Sequence, residues 1–136
     1  MARILIPFTE PDGATRAVEA LLREPREARL AVHLAAIVEP LRPGKVPMFL
    51  SADRAEILVR EAGRRWLAPL EARLRAAGVA FSSEVIAGSP RATVTALAAR
   101  EDIDRVLLPP PRTGGFTRRD GERIRDLSPH PVTLVA

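Results

Sequence analysis

The sequence predicts an α/β domain: a doubly wound, five-stranded parallel sheet with helices on both faces. Three observations carry that reading. Short apolar runs alternate with helix-like patterns along the whole chain, the rhythm of right-handed β–α–β crossovers. The opening runs are nearly continuous in apolar residues, as strands covered on both faces are. The 136 residues suit one domain spanning 1–136, with no repeat and no second unit.

The elements follow in order. Arg3 to Phe8 reads as the first strand. Thr9-Glu10-Pro11-Asp12 follows, with Thr9 as a cap, Pro11 tolerated in a first turn and Asp12 favoured by the helix dipole. That helix is expected to reach Arg23, and Arg29 to Val38 is the second strand. Glu39 to Ala52 is a proline-rich excursion, long for a compact domain. Its apolar tip, Met48-Phe49-Leu50, is expected to tuck onto the body rather than close over a ligand.

Ser51 or Asp53 starts the longest helix, which Gly78 ends after Ala77. Val59, Ala62, Trp66, Leu70, Leu74 and Ala77 step by three and four, so they predict one buried stripe with Trp66 in the core. Pro69 lies inside the pattern, where a proline costs ~3 kcal/mol and predicts a kink. Val79 to Ala87 is the third strand. Ser89 is a good cap and Pro90 a good first residue for a helix whose apolar face is Val94, Leu97 and Ala98. Arg105 to Leu108 is the fourth strand, stopped by three prolines. A Gly- and Arg-rich loop runs from Arg112 to Arg119, a short helix covers about Gly121 to Leu127, and Val132 to Val135 closes the chain. Ligands in such sheets bind outside the carboxyl ends of the strands, here Phe8-Thr9, Val38-Glu39, Ala87-Gly88 and Leu108-Pro109.

Composition narrows the function classes. Apolar residues make up 46% and charged residues 28%, a globular balance. Without cysteine there is no disulfide, thiol nucleophile or Cys-ligated zinc. No apolar run reaches the ~18 residues of a membrane span, and the chain opens straight into a strand, so a cytoplasmic protein is expected. The net charge is +4, nearly all the cations are arginine, and acids are interspersed. That reads as a solvated, salt-bridged surface, not a nucleic-acid stripe. Asparagine and glutamine are absent, which suits a thermophile and equally a GC-rich codon bias.

Motif spacing excludes more than it finds. No two glycines are two apart, so there is no dinucleotide fingerprint, and Gly44-Lys45 lacks the rest of a P-loop. His33 lies on a buried strand and reads as a satisfied core residue, and His130, between two prolines, reads as exposed. Neither has a metal-ligand spacing partner. No serine sits in a G-x-S-x-G elbow. Glu101, Asp102 and Asp104 read as solvated, and nothing marks a nucleophile or an acid/base pair. One loop is suggestive. Gly114 and Gly115 would let backbone N–H groups approach an anion, with Arg112 and Arg118 as planar donors and a helix N-terminus behind. A flexible connection with solvated arginines explains it equally well.

Several local sequences, taken in order, resemble the universal stress protein family. They are Ile4-Leu5-Ile6-Pro7-Phe8, Ile37-Val38-Glu39-Pro40, Gly88-Ser89-Pro90, Asp104-Arg105-Val106-Leu107-Leu108 and Pro129-His130-Pro131-Val132-Thr133-Leu134-Val135. The resemblance covers the whole chain and implies the strand order 3-2-1-4-5. Many members bind ATP through a G-x2-G-x9-G run followed by Ser or Thr, with an aspartate after the first strand. This sequence departs at each point: Thr9 replaces the aspartate, Pro109 and Arg112 replace the first glycine pair, and the loop before Gly121 is short and has no Gly-Ser. Prolines remove N–H donors and forbid the backbone angles of a phosphate cradle. In the family the last strand often pairs with its twin, which implies a homodimer edge at Val132, Thr133, Leu134 and Val135, with the helix before it as a second contact.

The expected function is a non-enzymatic stress-response or regulatory module, homodimeric, without metal and without ATP bound in the usual way. The alternative is a nucleotide (ATP or AMP) or phosphate-anion binder with rebuilt contacts from Thr9, Ile37, Gly88, Pro109, Arg112, Gly114, Gly115, Thr117 and Arg118. A phosphoanhydride hydrolase ranks last, because Asp120 is the only acid near the loop.

Overall fold

A computed structural model of the chain describes residues 2–25, 29–40, 51–111 and 116–136. The elements are β1 (Ala2–Phe8), α1 (Pro11–Arg23), β2 (Leu30–Val38), α2 (Ala52–Ala76), β3 (Ala80–Ala87), α3 (Pro90–Ala98), β4 (Arg105–Leu108), α4 (Arg118–Leu127) and β5 (Val132–Leu134). All strand pairs are parallel and the order is β3-β2-β1-β4-β5, as expected. The Met48-Phe49-Leu50 tip lies outside the described residues.

The apolar runs of β1 and β2 face two cores at once, which is why they do not alternate. On one face Ile4, Ile6, Phe8 and Leu34 meet Ala14, Val18 and Leu21 of α1 and Leu67, Leu70 and Leu74 of α2. On the other, Leu5, Ala35, Ile37, Val106 and Leu108 meet Val94 and Leu97 of α3 and Ile124 of α4. Burying a side chain such as Leu34 or Leu67 contributes about 1.5–3 kcal/mol. Arg105 of β4 also holds Glu24, just past α1, with two hydrogen bonds of 2.7 and 2.8 Å.

Three local expectations are corrected. The cap of α1 is Glu10, not Thr9, and it makes no side-chain cap bond. The buried stripe of α2 is Val59, Gly63, Leu67, Leu70 and Leu74, while Trp66 is half-buried at its margin, its ring tilted 47° to that of Phe8. Pro69 lies inside this helix, which runs from Ala52 to Ala76 with buried residues on both sides of the proline. Helix α4 starts at Arg118, three residues early, because Thr117 and Asp120 form a capping box.

Candidate functional site

The strand order reverses between β1 and β4, so their carboxyl ends form the expected crevice. Pro7, Phe8, Thr9, Glu10, Val94, Leu108, Pro109, Pro110 and Phe116 line it, and it encloses only about 50 Å³. Pro109 is set hard against the first turn of α1: a Cβ placed on Gly13 would come 3.1 Å from Pro109 Cβ. Phe116 is shared between hollows. Its ring borders this crevice and two larger hollows on either side, one of about 440 Å³ along α4 and β5 and one of about 940 Å³ between α3 and α4.

The N-terminus of α4 already holds a carboxylate of its own. Asp120 Oδ2 accepts from the Thr117 backbone N–H at 3.0 Å, and the Asp120 N–H donates to Thr117 Oγ1 at 3.2 Å. Asp120 Oδ1 lies 2.9 Å from Arg91 Nε of α3. The Thr117 N–H is the main cause that holds the Asp120 carboxyl below its ordinary range; Arg91 adds to it and burial opposes it. The positive helix end is neutralised from within.

The candidate residues therefore separate. Thr9 and Pro109 meet in the crevice. Ile37 is buried, its side chain in the α3–α4 core, so it presents no side chain to the crevice. The Gly88 N–H donates to the Val38 carbonyl at 3.2 Å. Thr117 caps α4 and, with Arg118, borders the neighbouring hollow, while Arg118 pairs with Glu122 at 3.3 Å. Arg112, Gly114 and Gly115 lie outside the described residues. The sequence reading missed Phe116 and Asp120 as shaping groups; an aromatic directly after a Gly-Gly pair and a Thr-x-x-Asp spacing were the available signals.

The amino end of the sheet holds a polar circuit that spacing did not reveal. His33 is buried and satisfied as expected, with Nδ1 2.7 Å from Ser82 Oγ and Nε2 2.5 Å from Glu84 Oε2. Arg100 Nη1 lies 3.3 Å from the same Glu84 oxygen, and Arg100 also grips Asp102 at 3.0 and 2.8 Å. Arg3 closes the circuit, 3.8 Å from Asp102 and 3.5 Å from Ser82 Oγ. Glu101, Asp102 and Asp104 are exposed, as expected, and two of them also hold partners: Asp102 as described, and Asp104 by accepting the Arg3 backbone N–H at 2.7 Å. Arg100 is the main cause that holds the Asp102 carboxyl below its usual range. His130 is not exposed but half-buried, its Nε2–H donating to the Arg100 carbonyl at 2.7 Å, because the Pro129-His130-Pro131 turn folds back on the end of α3. No group of side chains suited to a metal occurs among the described residues.

Fold and crevice define a doubly wound α/β protein of the type that places ligands at the carboxyl edge of its sheet. The family model for the universal stress protein family matches residues 1–135, and the chain belongs to that family. No curated protein matches the sequence. Among solved structures, the universal stress protein UspA from Lactobacillus plantarum superposes with a TM-score of 0.73 at 18% identity, over 99% of this chain and 97% of that one. A universal stress protein family protein from Arabidopsis thaliana with AMP bound gives 0.68 at 12% identity, over 99% and 91%. A universal stress protein in complex with cAMP gives 0.61 at 18% identity, over 99% and 97%. At these identities the likeness is one of fold. No helix among the described residues is long and apolar enough to cross a membrane.

Proposed function

We propose that this universal stress protein is a stress-response or regulatory module that does not hold ATP in the family's usual way and performs no chemistry in its carboxyl-end crevice. The observation that supports it is the wall between β1 and β4: Pro109, Pro110 and Phe116 leave about 50 Å³ there, with the larger hollows set to either side of Phe116. Pockets for small molecules run to roughly 300–1,000 Å³ and use backbone donors that proline lacks. Asp120 adds to the argument, since a phosphate approaching the start of α4 would meet a carboxylate already seated there. Isothermal titration with magnesium ATP tests the reading. No heat beyond dilution is expected, and a micromolar dissociation constant overturns it.

A second reading is a nucleotide or anion binder with rebuilt contacts, favoured by the AMP and cAMP named in two of the similar structures. Arg112 and Arg118 would supply the anion contacts. Replacing both with Ala would then remove any thermal shift induced by nucleotide, and an unchanged shift rejects those contacts.

The module acts in the cytoplasm as a homodimer in this proposal, and β5 supports that assembly. Within the described residues β5 pairs on one side only, with β4, so the other side of Val132, Thr133, Leu134 and Val135 is open to a twin. Sedimentation equilibrium at about 100 µM, a concentration that saturates a micromolar dimer, should give twice the chain mass. A monomer at that concentration ends the dimer reading.

A further inference from the structure

We propose that Ser82, His33 and Glu84 form an acyl-transfer site on the open face of β2 and β3, with Ser82 as nucleophile, His33 as general base and Glu84 as the positioning residue. The inference goes beyond the proposed function, since it concerns the opposite end of the sheet from the crevice.

The geometry carries it. A carboxylate only accepts, so the 2.5 Å contact fixes the proton on His33 Nε2, donated to Glu84. In the neutral imidazole that this site uses as its base, Nδ1 keeps its lone pair, facing Ser82 Oγ from 2.7 Å. A hydroxyl, an imidazole and a carboxylate within hydrogen-bond reach in series are recognised by roles and distances, not by chain position. His33 is 5% exposed, whereas Ser82 is exposed, so the base is sheltered and the nucleophile faces solvent. The Arg3 guanidinium stands 3.5 Å from Ser82 Oγ, where negative charge would develop on an attacked carbonyl oxygen. A hollow of about 470 Å³, lined in part by Ala31, Ala80 and Phe81, opens beside Ser82. Arg3, Asp102 and Asp104 complete its wall, so it is mixed in polarity, and its size fits the acyl group of a short-chain carboxylic ester or thioester.

The chemistry balances without a co-reactant. Ser82 Oγ bonds to the acyl carbon as its proton passes to His33 Nδ1. The carbon–oxygen or carbon–sulfur bond to the leaving group breaks, and that group takes the proton from Nδ1. Water then attacks the acyl-serine, giving up a proton through His33 to Ser82 and releasing the acid.

The full chain is assayed with p-nitrophenyl acetate and labelled with a fluorophosphonate. The expected result is a stoichiometric nitrophenolate burst and a label on Ser82, located by peptide mass spectrometry. Ser82→Ala should abolish both. Ser83→Ala should abolish neither, since that hydroxyl lies on the other face, bonded to Glu71 at 2.8 Å. His33→Gln should slow acylation about 100-fold, and Glu84→Gln should lower kcat with KM unchanged. His33 is buried, so circular dichroism must show that its variant folds; if it does not, the contrast between Ser82→Ala and Ser83→Ala decides alone. Absence of a label, or a burst that survives Ser82→Ala, overturns the site and leaves the triangle as hydrogen bonding for a buried imidazole. Neither result bears on the titration with ATP.

Discussion

Gly63 of α2 lies against Val85 of β3 so closely that a Cβ on Gly63 would stand 2.5 Å from Val85 Cγ1 and 2.6 Å from Cγ2. Contact at this distance needs hydrogen where other residues carry carbon, and it sets how near the longest helix approaches the edge of the sheet. Gly63→Ala gains up to about 1 kcal/mol of helix propensity. It also overpacks a β-branched side chain that has little rotamer freedom, at about 1–3 kcal/mol. We expect a net loss of stability in urea unfolding, with Val85→Ala in the same chain recovering part of it. Additive losses would show that the two residues are not coupled.

Asp120 should be worth about 1 kcal/mol as the capping-box partner of Thr117. Its folded-state carboxyl is held below the ordinary aspartate range, first by the Thr117 N–H. A depressed folded value means that the contribution is present above about pH 4 and is lost as pH falls through that folded value. Asp120→Asn should therefore lower stability at neutral pH and flatten the acid side of a stability–pH curve. An unchanged acid limb would remove Asp120 as its source.

Glu24 is held low chiefly by its hydrogen bonds to Arg105. The pair is partly open to solvent, so screening limits it to at most about 1 kcal/mol. Glu24→Gln should cost that amount at pH 7, with the difference from wild type shrinking below about pH 4 as the native carboxyl protonates. Paired thermal melts at the two pH values check it.

Phe116 borders three hollows at the carboxyl end. Phe116→Ala should enlarge the crevice without creating ATP affinity, because Pro109 and Pro110 still offer no N–H. Titration of Phe116→Ala with magnesium ATP should stay flat. Binding gained by this single change would show that bulk, not missing donors, closes the site.

Much of the architecture was legible in the residues themselves. Ile4-Leu5-Ile6 and the long apolar run of β2 could be nothing but strands covered on both faces, and Gly78 marked a helix end that the structure keeps, with φ 71°. Val59, Leu70 and Leu74 of the α2 stripe are buried as expected, while Gly63 and Leu67 take the places expected of Ala62 and Trp66, since Gly63 offers no side chain to count although the helix turns it inward. Helix α4 began early because Thr117 and Asp120 cap it from within a stretch whose glycines and arginines read as loop. Topology alone points to the ends of β1 and β4, where a small crevice lies, but the part Phe116 plays in its wall depends on packing. The His33 triangle was invisible for a different reason: residues 49 and 51 positions apart meet only because β2 and β3 pair in the register His33↔Ser82.

The sheet ends on two very unlike margins. β3 runs eight residues and β5 only three. A long bare margin is the template on which misfolded chains stack into fibrils. Ser82, Ser83 and Glu84 place polar and charged groups midway along that strand, so foreign sheets stacking on it would have to take those groups, with their partners, out of water. Losing Glu84 would therefore threaten solubility as well as any chemistry at Ser82, and an aggregation assay on Glu84→Val would register that cost even in a fully folded population.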